Sequence, residues 1–198
     1  MNRAKHLNVE NVTLAYGEDD IVHNASLSLD KGEIGCLLGP SGCGKSTLAQ
    51  QIAQHLNVRF LDADDYHSAQ AVAQMQTGIG LTDAQRAPWF DRIGQAIQGQ
   101  RETTGVLACS ALKAAYRQRI RKMARQVIFL WLKVDQDTLL KRLAGRQQHF
   151  AGTTLLQSQL ATLEPPENEP DVLHFDGSLN SGILFNQVLS QLENIHDH

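Results

Sequence analysis

A segment of eight residues has the composition and spacing of a phosphate-binding loop. Residues 39–46 read GPSGCGKS and match the pattern G-x-x-x-x-G-K-[ST] at every fixed position. The glycines allow backbone N–H groups to curl around a phosphate at the start of a helix. Lys45 can reach the β- and γ-phosphates, and the Ser46 hydroxyl can hold Mg²⁺. The motif predicts a site for a nucleoside triphosphate and Mg²⁺, with contacts from Gly39, Ser41, Gly42, Cys43, Gly44, Lys45, Ser46 and Thr47.

Two aspartates end the next apolar run, VRFLDADD at residues 58–65. Side chains of a strand alternate between its faces, so Asp62 and Asp64 are expected on one side of the strand end. Phosphoryl transfer needs one carboxylate to orient the water shell of the metal, and here we assign Asp62. It needs another to accept the proton of the acceptor hydroxyl. The alternative is a plain surface turn, for which Asp65 is the candidate helix cap.

The order of the elements from residue 33 onward indicates an α/β fold. Apolar runs typical of buried strands alternate with segments of helical spacing, which calls for a parallel sheet with helices on both faces. We predict a five-stranded parallel sheet of the P-loop NTPase type, with strands at residues 33–38, 58–65, 105–110, 126–134 and 171–177. Ligands of such sheets bind beyond the carboxyl ends of the strands, where the LLGPSGCGKS, LDADD and CSALK segments lie.

Composition and charge narrow the functional classes. The 198 residues suffice for one sizeable domain, and the net charge of −3 gives no support to a nucleic-acid or membrane partner. The three cysteines form no CxxC pair, and no apolar run has the length of a signal or membrane span, which predicts a reduced, cytoplasmic protein. A basic run, RQRIRKMAR, places Arg117, Arg121 and Arg125 on one helical face, interpreted as solvated or anion-facing.

Three longer segments carry a family resemblance. LDADDYHSAQAVAQMQTGIGLTDAQRAPWF, CSALKAAYRQRIR and RQQHFAGTTLLQSQLATLEPP closely resemble gluconate kinases, which are P-loop kinases of the nucleoside-monophosphate-kinase type. The resemblance covers roughly residues 39–198. It implies transfer of the ATP γ-phosphate to the 6-hydroxyl of D-gluconate, with ATP and Mg²⁺ at the loop and a homodimer as a possible assembly.

The resemblance also implies roles for individual residues. Asp64 matches the aspartate beside the accepting hydroxyl, and Arg142 and Arg146 match arginines that flank a lid at about residues 147–166. Such arginines neutralise charge on the transferring phosphoryl group, as Lys45 does from the loop. The residues that match substrate-binding positions are Asp64, His67, Arg86, Lys113, Tyr116 and Arg117. For His149, Phe150 and Gln159 packing of the lid and contact with a ligand are equally open, whereas Trp89 and Trp131 are expected in the core.

The acceptor side departs from the family pattern. Where the family has HP-x-x-N-x-x-KM this chain reads HSAQAVAQM, with Ser68, Ala71 and Gln74 at the changed positions. Where the family has PLTD-x-DR it reads GLTDAQR, with Gly80 and Gln85 changed. These changes leave open whether the acceptor is gluconate or another polyol acid.

The N-terminal segment resembles a different class of protein. Residues 7–16 and 21–29 are predicted strands, and together with the loop they resemble the opening of ABC transporter ATPases, in which an aromatic at the position of Tyr16 stacks on adenine. The Q-loop, signature motif and switch histidine of those ATPases are absent from the sequence. We therefore predict an ABC-ATPase-like antiparallel β extension at residues 1–32 and a kinase domain at 33–198. A transport ATPase fragment and an inactive hybrid are the alternatives.

Overall fold

Five parallel strands form the central sheet of the computed structural model, which describes residues 9–16, 19–27, 32–98, 104–145 and 153–196. The strands are β3 (Glu33–Leu38), β4 (Arg59–Asp62), β5 (Gly105–Ala108), β6 (Gln126–Lys133) and β7 (Val172–Asp176). Their order is β4-β5-β3-β6-β7, and every pairing is parallel. The predicted five-stranded parallel sheet is confirmed. The strand that precedes the phosphate loop, β3, lies at its centre.

Helices cover both faces of the sheet. They are α1 (Lys45–His55), α2 (Ala69–Gln76), α3 (Asp83–Gln98), α4 (Ala114–Arg121), α5 (Gln136–Ala144), α6 (Thr153–Thr162) and α7 (Ser181–His196). One core cluster joins the sheet to α1 and α7 through residues such as Ile52 and Leu189, and a second joins it to α3 and α4 through Phe90 and Ile120. Burial on both faces explains the unbroken apolar sequence of β5. Among the described helices, none combines the length and apolarity needed to cross a membrane.

The two N-terminal strands form a sheet of their own. β1 (Val9–Tyr16) and β2 (Asp19–Leu27) pair antiparallel, with Tyr16 opposite Asp19. The predicted antiparallel β extension is therefore present. It lies beside α7 rather than on an edge of the parallel sheet, and its second strand begins two residues earlier than predicted.

Helix α3 is capped by Thr82, the residue before its first residue Asp83. The Thr82 hydroxyl accepts a hydrogen bond from the Gln85 N–H (3.3 Å), and Gln85 Oε1 accepts one from the Thr82 N–H (2.8 Å). This reciprocal pair is a capping box. Asp83 is thus not needed for the cap and turns towards Lys113 and Tyr116.

The basic face of α4 binds carboxylates of the same chain, so of the two interpretations, solvated or anion-facing, the second describes Arg117 and Arg121. Arg117 is 1% exposed and donates to Glu169 and to the Ala111 and Leu112 carbonyls. Arg121 donates to Glu169 at 2.5 Å and to Asp171 at 2.6 Å. The network fixes the segment that precedes β7 against α4.

Glu169→Gln is expected to destabilise the fold by about 3 kcal/mol, because it leaves the buried Arg117 guanidinium without its carboxylate. Burial raises the pKa of Glu169, but hydrogen bonds from Arg117 and Arg121 outweigh burial and hold the pKa below its ordinary value. The contribution of this ionised carboxylate is therefore complete above about pH 4.3, the unfolded value, and is lost as the pH falls through the lowered folded value. Urea unfolding measured across this range tests the expectation.

The matched control is Glu167→Gln, since Glu167 is exposed two residues away. Its effect is expected to stay within about 0.5 kcal/mol. Equal stabilities of the two variants at neutral pH would show that Glu169 does not support Arg117.

Candidate active site

The phosphate loop connects β3 to α1 and is shaped by positions that only glycine fills well. Gly39 has φ 147°, and a Cβ atom there would lie 2.6 Å from the Cys43 sulfur. Gly44 precedes α1 with φ 94°, where no side chain caps the helix. The Cys43 side chain is buried in the core, so this residue presents only its backbone to the loop. The N-terminus of α1 is thereby left open to a phosphate.

Lys45 lies at the base of the loop and is 7% exposed. Burial lowers its pKa, but Cys43 and the carboxylates of Asp64 and Asp62 raise it, and the net shift is upward. The ammonium group therefore stays charged where a triphosphate would bind. A cavity of about 70 Å³ surrounds it, lined by Ser41, Gly42, Gly44, Lys45, Ser46, Thr47 and Asp64.

The structure places Asp62 and Asp64 differently from the expected alternation along a strand. β4 ends at Asp62, and residues 63–66 form a 3₁₀ turn. Asp62 caps this turn, its Oδ1 accepting the Asp64 N–H at 3.1 Å, so Asp62 rather than Asp65 is the cap. Asp64 reaches the phosphate cavity from within the turn. Asp62 does not line that cavity.

Side chains of α3 support the turn that carries Asp64. Trp89 donates from its indole N–H to the Ala63 carbonyl (2.6 Å), and Arg92 donates to the Tyr66 carbonyl (2.6 Å). Trp89 is buried, as predicted, and it also forms part of the wall of the neighbouring pocket. The sequence predicted Trp89 in the core but did not predict its place in the pocket wall.

A pocket of about 320 Å³ adjoins the phosphate cavity and shares Ser41 and Asp64 with it. Leu155 and Gln159 of α6 lie on one side of the pocket, and Arg86 and Trp89 of α3 lie on another. The remaining lining residues are His67, Val72, Met75, Gln76, Leu81, Ser110, Ala111, Leu112, Tyr116 and Thr162. A mixed apolar and polar pocket of this size suits a small polar molecule.

One wall of this pocket carries net positive charge. Asp83 accepts hydrogen bonds from Lys113 (2.9 Å) and Tyr116, which lower its pKa, so this exposed carboxylate is ionised. Arg86 donates to the Tyr116 hydroxyl (3.3 Å) and to the Leu81 carbonyl. The cations of Arg86 and Lys113 and the single anion of Asp83 leave one positive charge. Arg86 and Tyr116 line the pocket, whereas Lys113 does not.

His67 also lines the pocket. Its ring stacks on Trp89 with centroids 4.5 Å apart, and its Nε2 is 3.9 Å from Asp64 Oδ1. Burial lowers the pKa of His67, with Asp64 opposing the shift. The ring is therefore neutral at pH 7. Its buried Nδ1 has no hydrogen-bond partner among the described residues.

Two arginines proposed from the sequence, Arg117 and Arg142, are not brought to either cavity. Arg117 is buried and bound to Glu169 and two carbonyls, so it supports the wall from behind rather than facing a substrate. Arg142 donates to the Gly177 carbonyl (2.7 Å) and the Ser178 carbonyl (3.1 Å) beyond β7. Arg146 lies outside the described residues, as do His149 and Phe150.

The altered positions of the acceptor side also point away from the pocket. Gln74 donates to the Gly80 carbonyl (3.0 Å), and Gln85 donates to Gln74 Oε1 (2.7 Å). Ser68 caps α2 by accepting the Ala71 N–H (3.1 Å). The five changed positions are Ser68, Ala71, Gln74, Gly80 and Gln85. Among the described residues, none of these five lines the pocket. Gln74, Gly80 and Gln85 therefore form a local hydrogen-bond network, and Ser68 and Ala71 form a helix cap.

Comparison with known proteins agrees with this geometry. A family model described as an AAA domain matches residues 36–166. The chain is 39% identical to the thermosensitive gluconokinase of Escherichia coli (strain K12) over 148 residues, 73% of this chain and 79% of that protein. It is 34% identical to the gluconokinase of Gluconobacter oxydans (strain 621H) over 159 residues, 79% of this chain and 89% of that one.

Solved structures extend the comparison. The crystal structure of a gluconokinase from Sinorhizobium meliloti 1021 aligns with a TM-score of 0.75 at 34% identity, covering 83% of this chain and 93% of that chain. A shikimate kinase from Aquifex aeolicus, with a TM-score of 0.55 at 14% identity, shares the fold alone. With its phosphate loop, its adjoining polar pocket and these relatives, the chain belongs to the gluconokinase family of P-loop kinases.

Proposed function

We propose that the protein transfers the γ-phosphate of ATP to the 6-hydroxyl of gluconate. The observation that carries this proposal is that Ser41 and Asp64 line both the phosphate cavity and the larger pocket. A donor bound in one cavity and an acceptor bound in the other meet at these two residues. The curated relatives named gluconokinase supply the identity of the acceptor.

In the proposed reaction, the acceptor oxygen forms a bond to the γ-phosphorus while the bond from that phosphorus to the oxygen of ADP breaks. Asp64, exposed at the shared edge, takes the hydroxyl proton. The Lys45 ammonium lies where negative charge builds up on the transferring group. His67 lines the pocket beside Asp64, where its neutral ring can contact the acceptor. These groups together form the reacting end of the site.

The part of the pocket wall that Arg86 lines selects a carboxylate. Arg86 faces the pocket and belongs to the cluster that keeps one positive charge after Asp83 and Lys113 cancel. A sugar acid bound with its 6-hydroxyl at Asp64 directs its carboxylate towards this wall. Attraction of a carboxylate to a partly buried guanidinium distinguishes gluconate from a neutral polyol of the same length.

We propose that Mg²⁺ is held by Ser46, with Asp62 oriented on its water shell. The hydroxyl and carboxylate oxygens fit the preference of Mg²⁺, which retains several waters and binds few protein groups directly. Ser46 lines the phosphate cavity, and Asp62 is close enough to raise the pKa of Lys45. When bound, the ion supplies charge neutralisation on the phosphates.

A panel of acceptors tests the function. Initial rates of ADP formation are compared for gluconate, for other sugar acids, for glucitol and for no acceptor. Glucitol has a hydroxymethyl group in place of the carboxylate. The kcat/KM for gluconate is expected to exceed that for glucitol by at least about 100-fold. Equal values would contradict selection of the carboxylate, and a clear preference for a different sugar acid would show that another polyol acid is the natural acceptor.

We further propose that residues 1–32 are a β extension separate from the chemistry, in keeping with the two-stranded sheet beside α7. The adenine contact suggested for Tyr16 concerns a side chain outside the described part of the structure. Deletion of residues 1–30 is expected to lower the melting temperature and to leave kcat/KM for ATP and gluconate within about twofold of the full chain. A folded but inactive truncation would assign the extension to the active site.

A further inference from the structure

The lid helix α6 is tied to the phosphate loop by one side chain. Gln159 Oε1 accepts the backbone N–H of Ser41 at 2.8 Å, and Gln159 Nε2 donates to the Ser41 hydroxyl at 3.1 Å. The two residues are 118 positions apart in the chain. Two hydrogen bonds between the same pair fix both the place of the helix and the rotamer of Ser41. The sequence left this residue undecided between packing and ligand contact.

Ser41 occupies the point where the two cavities meet, since it lines both. Its N–H is bound to Gln159, so this donor of the loop serves the helix and not a phosphate. Gln159 itself lines the larger pocket together with Leu155 of the same helix. The amide of Gln159 thus holds α6 beside the shared edge at which the phosphoryl group is transferred.

The same helix fits closely against the acceptor side. A Cβ atom at Gly80 would lie 3.0 Å from the Ser158 hydroxyl, so a bare backbone at Gly80 lets α6 approach. Leu155 and Leu156 are the buried residues of α6. α6 therefore contacts the segment around Gly80 through Ser158 and the phosphate loop through Gln159.

We propose that Gln159 is a positioning residue. Its hydrogen bonds to Ser41 hold α6 against the phosphate loop and thereby keep water from the γ-phosphate. The inference rests on the proposed kinase function. Without this tie, a water oxygen takes the place of the acceptor hydroxyl. It bonds to the γ-phosphorus, the bond to ADP breaks, the water proton leaves, and inorganic phosphate results. A dry site with a fixed helix favours the bound acceptor over water.

Gln159→Met tests this inference, because methionine keeps the length and helix preference of glutamine and removes both hydrogen bonds. Three quantities are measured: ADP formation without acceptor, KM for gluconate, and the ratio of ADP formed to phosphorylated acceptor formed. We expect acceptor-independent ADP formation to rise at least threefold, KM to rise about tenfold, and the ratio to exceed one. Gln157→Met on the exposed face of α6 is the control and is expected to match the wild type.

Identical behaviour of Gln159→Met and Gln157→Met overturns the inference. A raised KM with a ratio of one also overturns it, since that result describes a direct acceptor contact. Ser41→Ala, which keeps the backbone bond and loses the hydroxyl bond, is expected to give a smaller rise in the ratio and carries the test if Gln159→Met does not fold. The rate of ADP formation without acceptor tests the role of Gln159 even if gluconate proves not to be the acceptor.

Discussion

Lys45→Ala lowers kcat by at least about 100-fold, because it removes the positive charge that follows the γ-phosphate into the transition state. The ammonium group is buried at the base of the loop, and the carboxylates of Asp62 and Asp64 help to keep it protonated. Among the described residues, Lys45 is the cation that lines the phosphate cavity. The measurement is steady-state turnover of purified protein at saturating ATP and gluconate.

Loss of activity through unfolding must be separated from loss of chemistry. Lys122→Ala removes an exposed lysine at the end of α4 and is expected to turn over normally. Both variants should show cooperative melting. Near-normal turnover by Lys45→Ala would refute the assignment of the phosphate loop, since no part of the proposed mechanism works without that charge.

Asp64→Asn is expected to lower kcat by about 10²–10⁴-fold while the Kd for ATP changes little. The amide cannot take the proton of the acceptor hydroxyl, but it preserves the size of the side chain in the 3₁₀ turn. The turn itself is held by the Asp62 cap and by Trp89, neither of which is changed. Turnover and nucleotide titration on the same preparation check both parts of the expectation.

Asp65→Asn supplies the matched control, because Asp65 is exposed in the same turn and lines neither cavity in the described structure. It is expected to retain normal kcat. A collapse of ATP binding in Asp64→Asn with a surviving catalytic rate would reassign Asp64 as a metal or folding residue.

The sheet and the phosphate loop were predictable because each depends on local sequence. The apolar runs of β3 and β6 are long enough to identify strands, and the glycines of the loop follow from the need to bring backbone close to phosphate. The end of β4 was not predictable in this way. Asp62 stops the strand by capping a 3₁₀ turn, and hydrogen bonds from the distant helix α3 hold that turn.

The residue types around the substrate pocket could be predicted from the sequence, but the hydrogen-bond partners of these residues could not. Arg86 and Arg117 are both arginines in matching motifs, yet one lines the pocket and the other is buried against Glu169, fifty-two positions away. Gln74 and Gln85 both stand at positions of the acceptor side that depart from the family pattern. In the structure each is the partner of the other. Pairings over such separations depend on tertiary contacts that spacing along the chain does not encode.

Product analysis of the full-length wild-type protein tests the central claim most directly. The protein is incubated with ATP, Mg²⁺ and gluconate, and the reaction is followed by phosphorus NMR with ADP measured in parallel. We predict a single new phosphomonoester on the C6 oxygen of gluconate, formed in a one-to-one ratio with ADP, and little ADP when gluconate is left out. ADP and inorganic phosphate formed at the same rate without gluconate would identify an acceptor-independent ATPase, and no turnover at all would identify an inactive hybrid; either result would contradict the account.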